Sequence, residues 1–202
     1  RLGAVVCKGT TLRPKEGNPQ PRLVETMAGL LNSIGLENMG VEAVVRDMCP
    51  VWSKWKTKVI VNIAGESVDD YRQVAAVLDG VPGVSGIEVN ISCPNVKQGG
   101  LEFGTDPELA AQVTSAVRRA TALPLLVKLT PNVTDVVAVA KAVVDAGADG
   151  LTVCNTLRGM AIDVKRKKAL LGNVCGGYSG PALKPVALYL VYTVSGAVDV
   201  PV

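Results

Sequence analysis

Short apolar runs, rich in β-branched residues, recur along the chain. They cover residues 3–7, 58–63, 86–91, 124–129 and 150–153, and their apolar positions are nearly continuous rather than alternating. Continuous apolar runs are typical of parallel strands that are buried on both faces. The pattern therefore predicts a parallel sheet, and residues 198–202 indicate the opening of a sixth strand.

Signals for helices lie between these runs. Thr105-Asp-Pro-Glu108 has the spacing of a capping box with proline in the first turn, and Ser67 with Asp70 opens a second helix. A third helix is predicted from residue 134 to 145, because Gly147 supplies a natural stop. Strands that alternate with helices define a parallel α/β protein.

Polar side chains stand at or just after the carboxyl ends of the apolar runs, at Lys8, Asn62, Asn90, Lys128 and Asn155. Such a repeat describes the mouth of a (β/α)₈ barrel. No Gly-x-Gly-x-x-Gly turn follows the first run, which argues against a dinucleotide-binding fold. We predict one TIM-barrel domain over residues 1–202 that is truncated at both ends, with the first strand and the last strands missing.

Composition narrows the function classes. Of 202 residues, 48% are hydrophobic and 19% charged, with a net charge of +3, so the chain is globular and carries no signature of binding to nucleic acid or to a membrane. Five cysteines without paired spacing indicate reduced thiols in a cytoplasmic protein. Histidine is absent and no metal-ligand spacing occurs, so we expect no metal site.

The segment from Glu88 to Gly100 carries the most chemistry. Asn90, Ser92, Cys93 and Asn95 lie at or just after the end of an apolar run and precede two glycines. Amides can grip a flat polar ligand, a partly exposed thiol can take a proton, and a glycine loop can close over both. The alternative for Cys93 is a purely structural thiol, but its polar neighbours favour a catalytic function.

Two lysines and a glycine-rich segment add candidate ligand groups. Lys8 and Lys128 end apolar runs, where an ammonium can face an anionic ligand, form a Schiff base or pair with a neighbouring carboxylate. Residues 176–181 predict a glycine-rich loop that leads into a helix at 185–194, and its backbone N–H groups could hold a phosphate or a ring edge.

Together these segments resemble dihydroorotate dehydrogenase, a flavin enzyme family, and most closely its soluble, two-subunit, NAD-linked class. The motifs that carry the resemblance run over essentially the whole chain: Lys8-Gly-Thr-Thr11, Gly17-Asn-Pro-Gln-Pro-Arg22, Asn32-Ser-Ile-Gly-Leu36, Asn62-Ile-Ala-Gly65, Asn90-Ile-Ser-Cys-Pro-Asn95, Lys128-Leu-Thr-Pro-Asn132, Asn155-Thr156 and Gly176-Gly-Tyr-Ser-Gly-Pro181. Asn-x-Ser-Cys-Pro alone would also fit the flavin domain of dihydropyrimidine dehydrogenase.

The resemblance implies roles for particular residues. Cys93 would be the general base that takes the C5 proton of dihydroorotate, while the C6 hydride passes to FMN. Lys8 would lie between flavin and substrate, as the second catalytic residue. The implied substrate-binding residues are Lys8, Asn32, Ser33, Ile34, Gly35, Leu36, Asn90, Asn95, Asn155 and Thr156. The implied flavin-lining residues are Lys8, Gly9, Asn62, Asn90, Lys128, Cys154 and Gly180.

The resemblance also implies partners. An electron-transfer subunit with FAD and an iron–sulfur cluster would pass electrons to NAD, around a homodimeric core. At Cys154 the family pattern leads us to expect an aliphatic residue, and the family's phosphate-binding loops after the seventh and eighth strands lie outside this chain. We therefore expect residues 1–202 alone to be poorly soluble or free of flavin.

Two other functions stay open at this stage. One is a flavin-dependent reductase of another dihydropyrimidine, or of a uracil base in RNA. The other is a TIM-barrel aldolase that uses Lys128 as a Schiff-base lysine.

Overall fold

The computed structural model describes residues 2–92 and 103–202, so Cys93 and Asn95 lie outside the described residues. In chain order the strands are β1 (Ala4–Val6), β2 (Leu23–Thr26), β3 (Gly29–Asn32), β4 (Lys58–Ile63), β5 (Gly86–Asn90), β6 (Leu125–Lys128), β7 (Gly150–Thr152), β8 (Leu157–Met160), β9 (Ile162–Asp163), β10 (Lys168–Ala169) and β11 (Cys175–Ser179). The helices are α1 (Val41–Ala43), a π-helical turn (Val44–Met48), α2 (Cys49–Trp52), α3 (Val68–Leu78), α4 (Pro107–Ala120), α5 (Val136–Asp145), a 3₁₀ turn (Pro181–Leu183) and α6 (Lys184–Ser195).

A parallel sheet in the order β1-β4-β5-β6-β7 forms the centre of the molecule. All five strands predicted from continuous apolar runs are present, within one or two residues of the predicted ends. The sheet curls as a partial barrel, since a side chain of β5 reaches one of β7 across β6. The described residues form this curled part and not a closed eight-stranded barrel.

The predicted sixth strand is not formed. Residues 198–202 adopt no strand, although the Leu151 N–H donates to the Pro201 carbonyl at 2.8 Å. This backbone hydrogen bond links the segment to the edge of β7 but does not make it a strand of the sheet.

Helix starts follow the predicted capping chemistry, with one correction. In α3 the Ser67 hydroxyl accepts from the Asp70 N–H while the Asp70 carboxylate accepts from the Ser67 N–H, as predicted. In α4 the N-cap is Asp106 and not Thr105. The Asp106 carboxylate accepts from two orphan N–H groups of the first turn, which makes it a suitable cap directly before the proline.

The hydrophobic core lies between the parallel sheet and α3, α4 and α5. The fully buried contributors from the strands include Val61, Val89 and Val127, and those from the helices include Val74, Val113 and Val143. The α5 helix ends at Asp145, as predicted, and is followed by Gly147, whose positive φ of 106° favours glycine. No helix of the described residues is both long enough and apolar enough to cross a bilayer.

A second, antiparallel sheet was not predicted. It has the order β2-β3-β11-β8, and β9 with β10 forms a small hairpin beside it. The glycine-rich segment 176–181, predicted as a loop, largely belongs to this sheet, because β11 pairs with β3 on one side and β8 on the other. The prediction of a loop was wrong for residues 176–179, which are strand and are held by cross-strand hydrogen bonds.

Candidate active site

A buried polar network lies beneath the carboxyl ends of the parallel strands. Asn62 of β4 donates from Nδ2 to Glu88 Oε1 of β5 at 2.5 Å, and Asn90 donates from Nδ2 to Asn62 Oδ1 at 3.4 Å. All three side chains are buried, and Glu88 is only 3% exposed. Asn62 and Asn90, which the sequence places at strand ends, therefore lie beside each other, as follows from the parallel register that sets Asn62 beside Glu88.

The network continues into the segment after β7. Ser92 donates from Oγ to Asn90 Oδ1 at 2.7 Å, and its own hydroxyl and carbonyl oxygens accept from Asn155 Nδ2 at 2.9 and 3.1 Å. The Thr156 N–H donates to Asn155 Oδ1 at 2.9 Å. These bonds bring together Asn90, Asn155 and Thr156, which the resemblance assigns to the substrate, with Ser92 as the connecting group.

The end of β5 is also anchored from the helical layer. Tyr71 of α3 donates its hydroxyl to the Asn90 carbonyl at 2.9 Å, and its ring meets Phe103 edge to face with 5.8 Å between centroids. Tyr71 is 2% exposed, so this bond is shielded from water. A core aromatic with a polar tip thus fixes the backbone two residues before Ser92.

Lys8 and Lys128 provide cations at the same edge of the sheet. Lys128 of β6 is half-buried and lies in register with Asn90 on one side and Thr152 on the other. Within residues 2–92 and 103–202, neither ammonium forms an ion pair or a hydrogen bond. Of the alternatives for these lysines, the salt bridge to a neighbouring carboxylate therefore does not occur among the described residues.

Two thiols near these lysines are held neutral. Burial raises the pKa of Cys154 above its ordinary value, and the neighbouring Lys128 ammonium opposes that rise. Burial likewise raises the pKa of Cys7, against hydrogen bonds to Asn62 and Thr10 that lower it. Neither environment stabilises a thiolate, so neither cysteine replaces Cys93 as the candidate base.

Residues 32–36 form a loop at the end of β3. Asn32 donates from Nδ2 to the Gly177 carbonyl at 3.3 Å, and the buried Ser33 hydroxyl accepts from Asn18 Nδ2 at 2.9 Å. A Cβ on Gly35 would stand 2.6 Å from the Asn18 nitrogen, and the φ of 77° there also demands glycine. This close approach to Asn18 fixes the loop conformation.

The loop is joined to the parallel sheet through Leu36 and braced by Arg22. A Cβ on Gly9 would lie 3.0 Å from Asn62 Oδ1 and 3.4 Å from Leu36 Cδ2, so Leu36 packs close to Gly9 and Asn62. Arg22 donates to the carbonyls of Asn18 and Glu16 and to the Glu37 carboxylate. The second sheet and the segment before it therefore hold the predicted substrate loop against the first strand of the parallel sheet.

Thr156 and Gly180 take different positions. Thr156 packs against β11, where a Cβ on Gly177 would stand 2.0 Å from its Oγ1, and so it joins the strand-end network to the second sheet. Gly180 lies against Gly29, at the opposite end of β3 from Asn32, with a φ of 121°. Its predicted role in lining a flavin stays a prediction.

Sequence reasoning missed several members of the network. Glu88, Thr152 and Asn132 were not predicted as site residues, and Ser92 was noted only as a polar neighbour of Cys93. Asn132 donates from Nδ2 to Thr130 Oγ1 and to the Thr156 carbonyl, at 3.0 and 3.1 Å. The available signal for Glu88 was a carboxylate inside an otherwise apolar run, which burial makes costly unless it is hydrogen-bonded.

The chain matches the family model of dihydroorotate dehydrogenase over residues 1–202. It is 58% identical over 202 residues to the Desulforamulus reducens protein named dihydroorotate dehydrogenase B (NAD(+)), catalytic subunit. Proteins of the same name from Pelobacter propionicus and Geobacter sp. strain M21 are 57% identical over 201 residues and 56% over 200.

These matches cover 99–100% of the chain, and the chain spans 66% of the length of each of these relatives. Both the family model and the identities extend over the strand ends, the loop at 32–36 and the second sheet. This chain belongs to the dihydroorotate dehydrogenase family.

Proposed function

We propose that the protein oxidises (S)-dihydroorotate to orotate in the synthesis of pyrimidine nucleotides, with FMN as its cofactor. The observation that carries the proposal is the family match over all of residues 1–202. The strand-end network supports it, because amides, together with cations that have no anionic partner among the described residues, suit a flat, polar, anionic ligand at one edge of a parallel sheet.

For the fold, we propose that the chain is one FMN-binding domain of (β/α)₈ type over residues 1–202, completed by strands outside this chain. The parallel order β1-β4-β5-β6-β7 supports this, since each strand lies beside the next of the sheet in sequence. The bond between Glu88 and Thr152 supports it further, because the interior layers of such barrels are filled from alternate strands.

A flavin fits the described residues. The Lys128 and Lys8 ammonium groups have no described anionic partner, and Gly9, which carries no side chain, lies beside the Asn62 amide at the same edge of the sheet. Its proposed contacts are Lys8, Gly9, Asn62, Asn90, Lys128, Cys154 and Gly180. When bound, FMN supplies the acceptor for the hydride that leaves C6 of the substrate.

The substrate is proposed to lie between this cofactor site and the loop at 32–36. Asn32, Ser33, Ile34, Gly35, Leu36, Asn90, Asn95, Asn155 and Thr156 would bind its ring and carboxylate. Lys8 would face the carboxylate and balance its charge. Cys93 would take the proton from C5, so that the loss of one proton and one hydride gives orotate.

Electrons are proposed to leave through a second subunit that carries FAD and an iron–sulfur cluster and reduces NAD. The support is that the relatives' names specify NAD(+) and a catalytic subunit. We propose a homodimeric core and a cytoplasmic location for the assembly.

An anaerobic absorbance titration of the full-length protein tests the proposal. Dihydroorotate should bleach the flavin band at about 450 nm. A flavin that stays oxidised with dihydroorotate but is bleached by another dihydropyrimidine would move the activity to that substrate.

A colourless protein that forms a borohydride-stable substrate adduct on Lys128 would replace the proposal with the aldolase reaction. Lys128→Met provides the control, because that variant cannot form the adduct.

A further inference from the structure

Glu88 is a buried charge that the proposed reaction does not use. Of the described residues, it is the one charged side chain in the buried interior. No ammonium or guanidinium group of the described residues pairs with it. A buried carboxylate without a cation is expensive, so stability alone does not account for its presence.

Its partners are neutral donors from two different strands. Asn62 Nδ2 of β4 donates to Oε1 at 2.5 Å, and Thr152 Oγ1 of β7 donates to Oε2 at 2.7 Å. A carboxylate presents acceptors at both oxygens, whereas a glutamine presents one acceptor and one donor. Asn62 and Thr152 can therefore bond the Glu88 carboxylate only as hydrogen-bond donors.

The requirement to donate constrains Asn62 more than Thr152, because a hydroxyl can rotate to donate or accept whereas an amide has distinct donor and acceptor ends. An asparagine amide can be turned over, which exchanges its oxygen and nitrogen without changing its shape. Asn90 is already fixed from its other side, since its Oδ1 accepts from the Ser92 N–H and hydroxyl. The contact from Asn90 to Asn62 is long, at 3.4 Å, so the 2.5 Å bond to Glu88 is the stronger constraint on Asn62.

We propose that Glu88 is a positioning residue that holds the Asn62 amide in one orientation, and so fixes which of its atoms faces the cofactor. The inference rests on the proposed function, in which Asn62 lines the flavin. The carboxylate excludes the reversed amide because neither of its oxygens can donate to Asn62 Oδ1. Thr152 donates to the second oxygen of Glu88, so both oxygens of the buried carboxylate are hydrogen-bonded.

The test uses four variants of the full-length protein and the dissociation constant of FMN, measured by titrating free FMN with apoprotein. Glu88→Leu removes the acceptor and should weaken FMN binding about tenfold, the expected effect of one lost oriented bond. Glu88→Gln should stay within about threefold of wild type, because the Thr152 hydroxyl can accept from the new amide.

Thr152→Val alone should also stay within about threefold, because Asn62 still meets a carboxylate. The double variant Glu88→Gln with Thr152→Val should weaken FMN binding about tenfold relative to wild type. Valine cannot accept from the glutamine N–H, so nothing keeps the glutamine oxygen towards Asn62, and both orientations of the Asn62 amide become populated. If Glu88→Leu does not fold, the comparison of the double variant with its two single variants tests the proposal by itself.

The dissociation constants of the four variants distinguish an effect of the Asn62 orientation from an effect of the Glu88 charge. An effect of charge alone would make Glu88→Gln as weak as Glu88→Leu, which would overturn the proposal. Additive, small effects in the double variant would overturn it as well. Thermal unfolding of all four proteins shows whether the FMN effect follows stability, and a strict correlation between the two would also contradict a positioning role.

A second readout does not depend on the flavin. In protein labelled with ¹⁵N-asparagine, the Asn62 side-chain NH₂ should give one pair of resonances in wild type and two pairs in the double variant. One unchanged pair in both would overturn the proposal. If wild type shows the expected resonances but binds no FMN, the proposed cofactor fails while the orienting role of Glu88 stands.

Discussion

The two sheets of this molecule build the candidate site in different ways. The parallel sheet contributes buried side chains that bind one another, as in Asn62, Glu88 and Asn90. The antiparallel sheet contributes a backbone frame, in which glycines at 176 and 177 let Asn32 and Thr156 approach closely. The first arrangement suits chemistry that needs fixed polar groups, and the second suits a loop that shapes a binding cleft.

The largest effect is expected from replacing Cys93, the proposed base, which follows β5 of the parallel sheet in the chain. Cys93→Ser in the full-length protein should lower kcat at neutral pH by about 10²- to 10⁴-fold. An alcohol is a far weaker acid than a thiol, so the anion that would act as the base is much scarcer. Steady-state rates from pH 6 to 10 check this, and the serine variant should recover at high pH. Cys175→Ser is the control, since Cys175 lies in the second sheet. Wild-type turnover by Cys93→Ser would refute the assignment.

The antiparallel sheet should respond through packing and substrate affinity. A Cβ on Gly177 would stand 2.0 Å from Thr156 Oγ1, so Gly177→Ala should destabilise the protein by about 1–3 kcal/mol through overpacking and raise KM for dihydroorotate. Urea unfolding and initial rates measure the two effects. Gly196→Ala, whose new Cβ meets nothing closer than 3.5 Å, should change neither. A stable Gly177→Ala protein with unchanged KM would show that the frame tolerates side chains there.

The anchor of β5 predicts a smaller effect. Tyr71→Phe removes the hydroxyl that donates to the Asn90 carbonyl and should cost about 1 kcal/mol or slightly more, since the acceptor is buried. Urea unfolding measures the loss. Tyr192→Phe on α6 is the matched control, because that residue is 78% exposed. Equal stability of the two variants would mean that Asn90 is held without Tyr71.

The smallest effect is expected at the N-cap of α3. Ser67→Ala removes the cap of α3 and should lower stability by about 1 kcal/mol or less, with no change in KM. Thermal unfolding and initial rates check both parts. Ser195→Ala, near the end of α6, provides the comparison for a serine that caps no helix start. A change in KM for Ser67→Ala would show that α3 transmits strain to the site.

Local patterns predicted the parallel sheet because each of its strands is a continuous apolar run. They also predicted the polar strand ends, since parallel register places such residues at one edge. The antiparallel sheet could not be found in this way. Its strands pair residues as distant as Gly177 and Asn32, and β11 is so rich in glycine that its composition favours a loop.

The site residues likewise fall into those that local patterns predicted and those that they missed. Asn62, Asn90 and Asn155 were predicted from strand ends, and the structure joins them. Glu88 and Thr152 were missed because their importance comes from the curl of the sheet, which brings β5 and β7 together over β6. Sequence spacing shows that strands are neighbours, but it does not show which side chains meet inside.

The bond between Glu88 and Thr152 also constrains how the chain folds. Its two ends are 64 residues apart, and until β7 docks the Glu88 carboxylate lacks one of its two donors. An intermediate that holds only β1, β4, β5 and β6 would therefore bury an undersatisfied anion and be penalised for it. Assembly of these strands is made cooperative by a polar contact, in addition to the apolar ones that drive collapse.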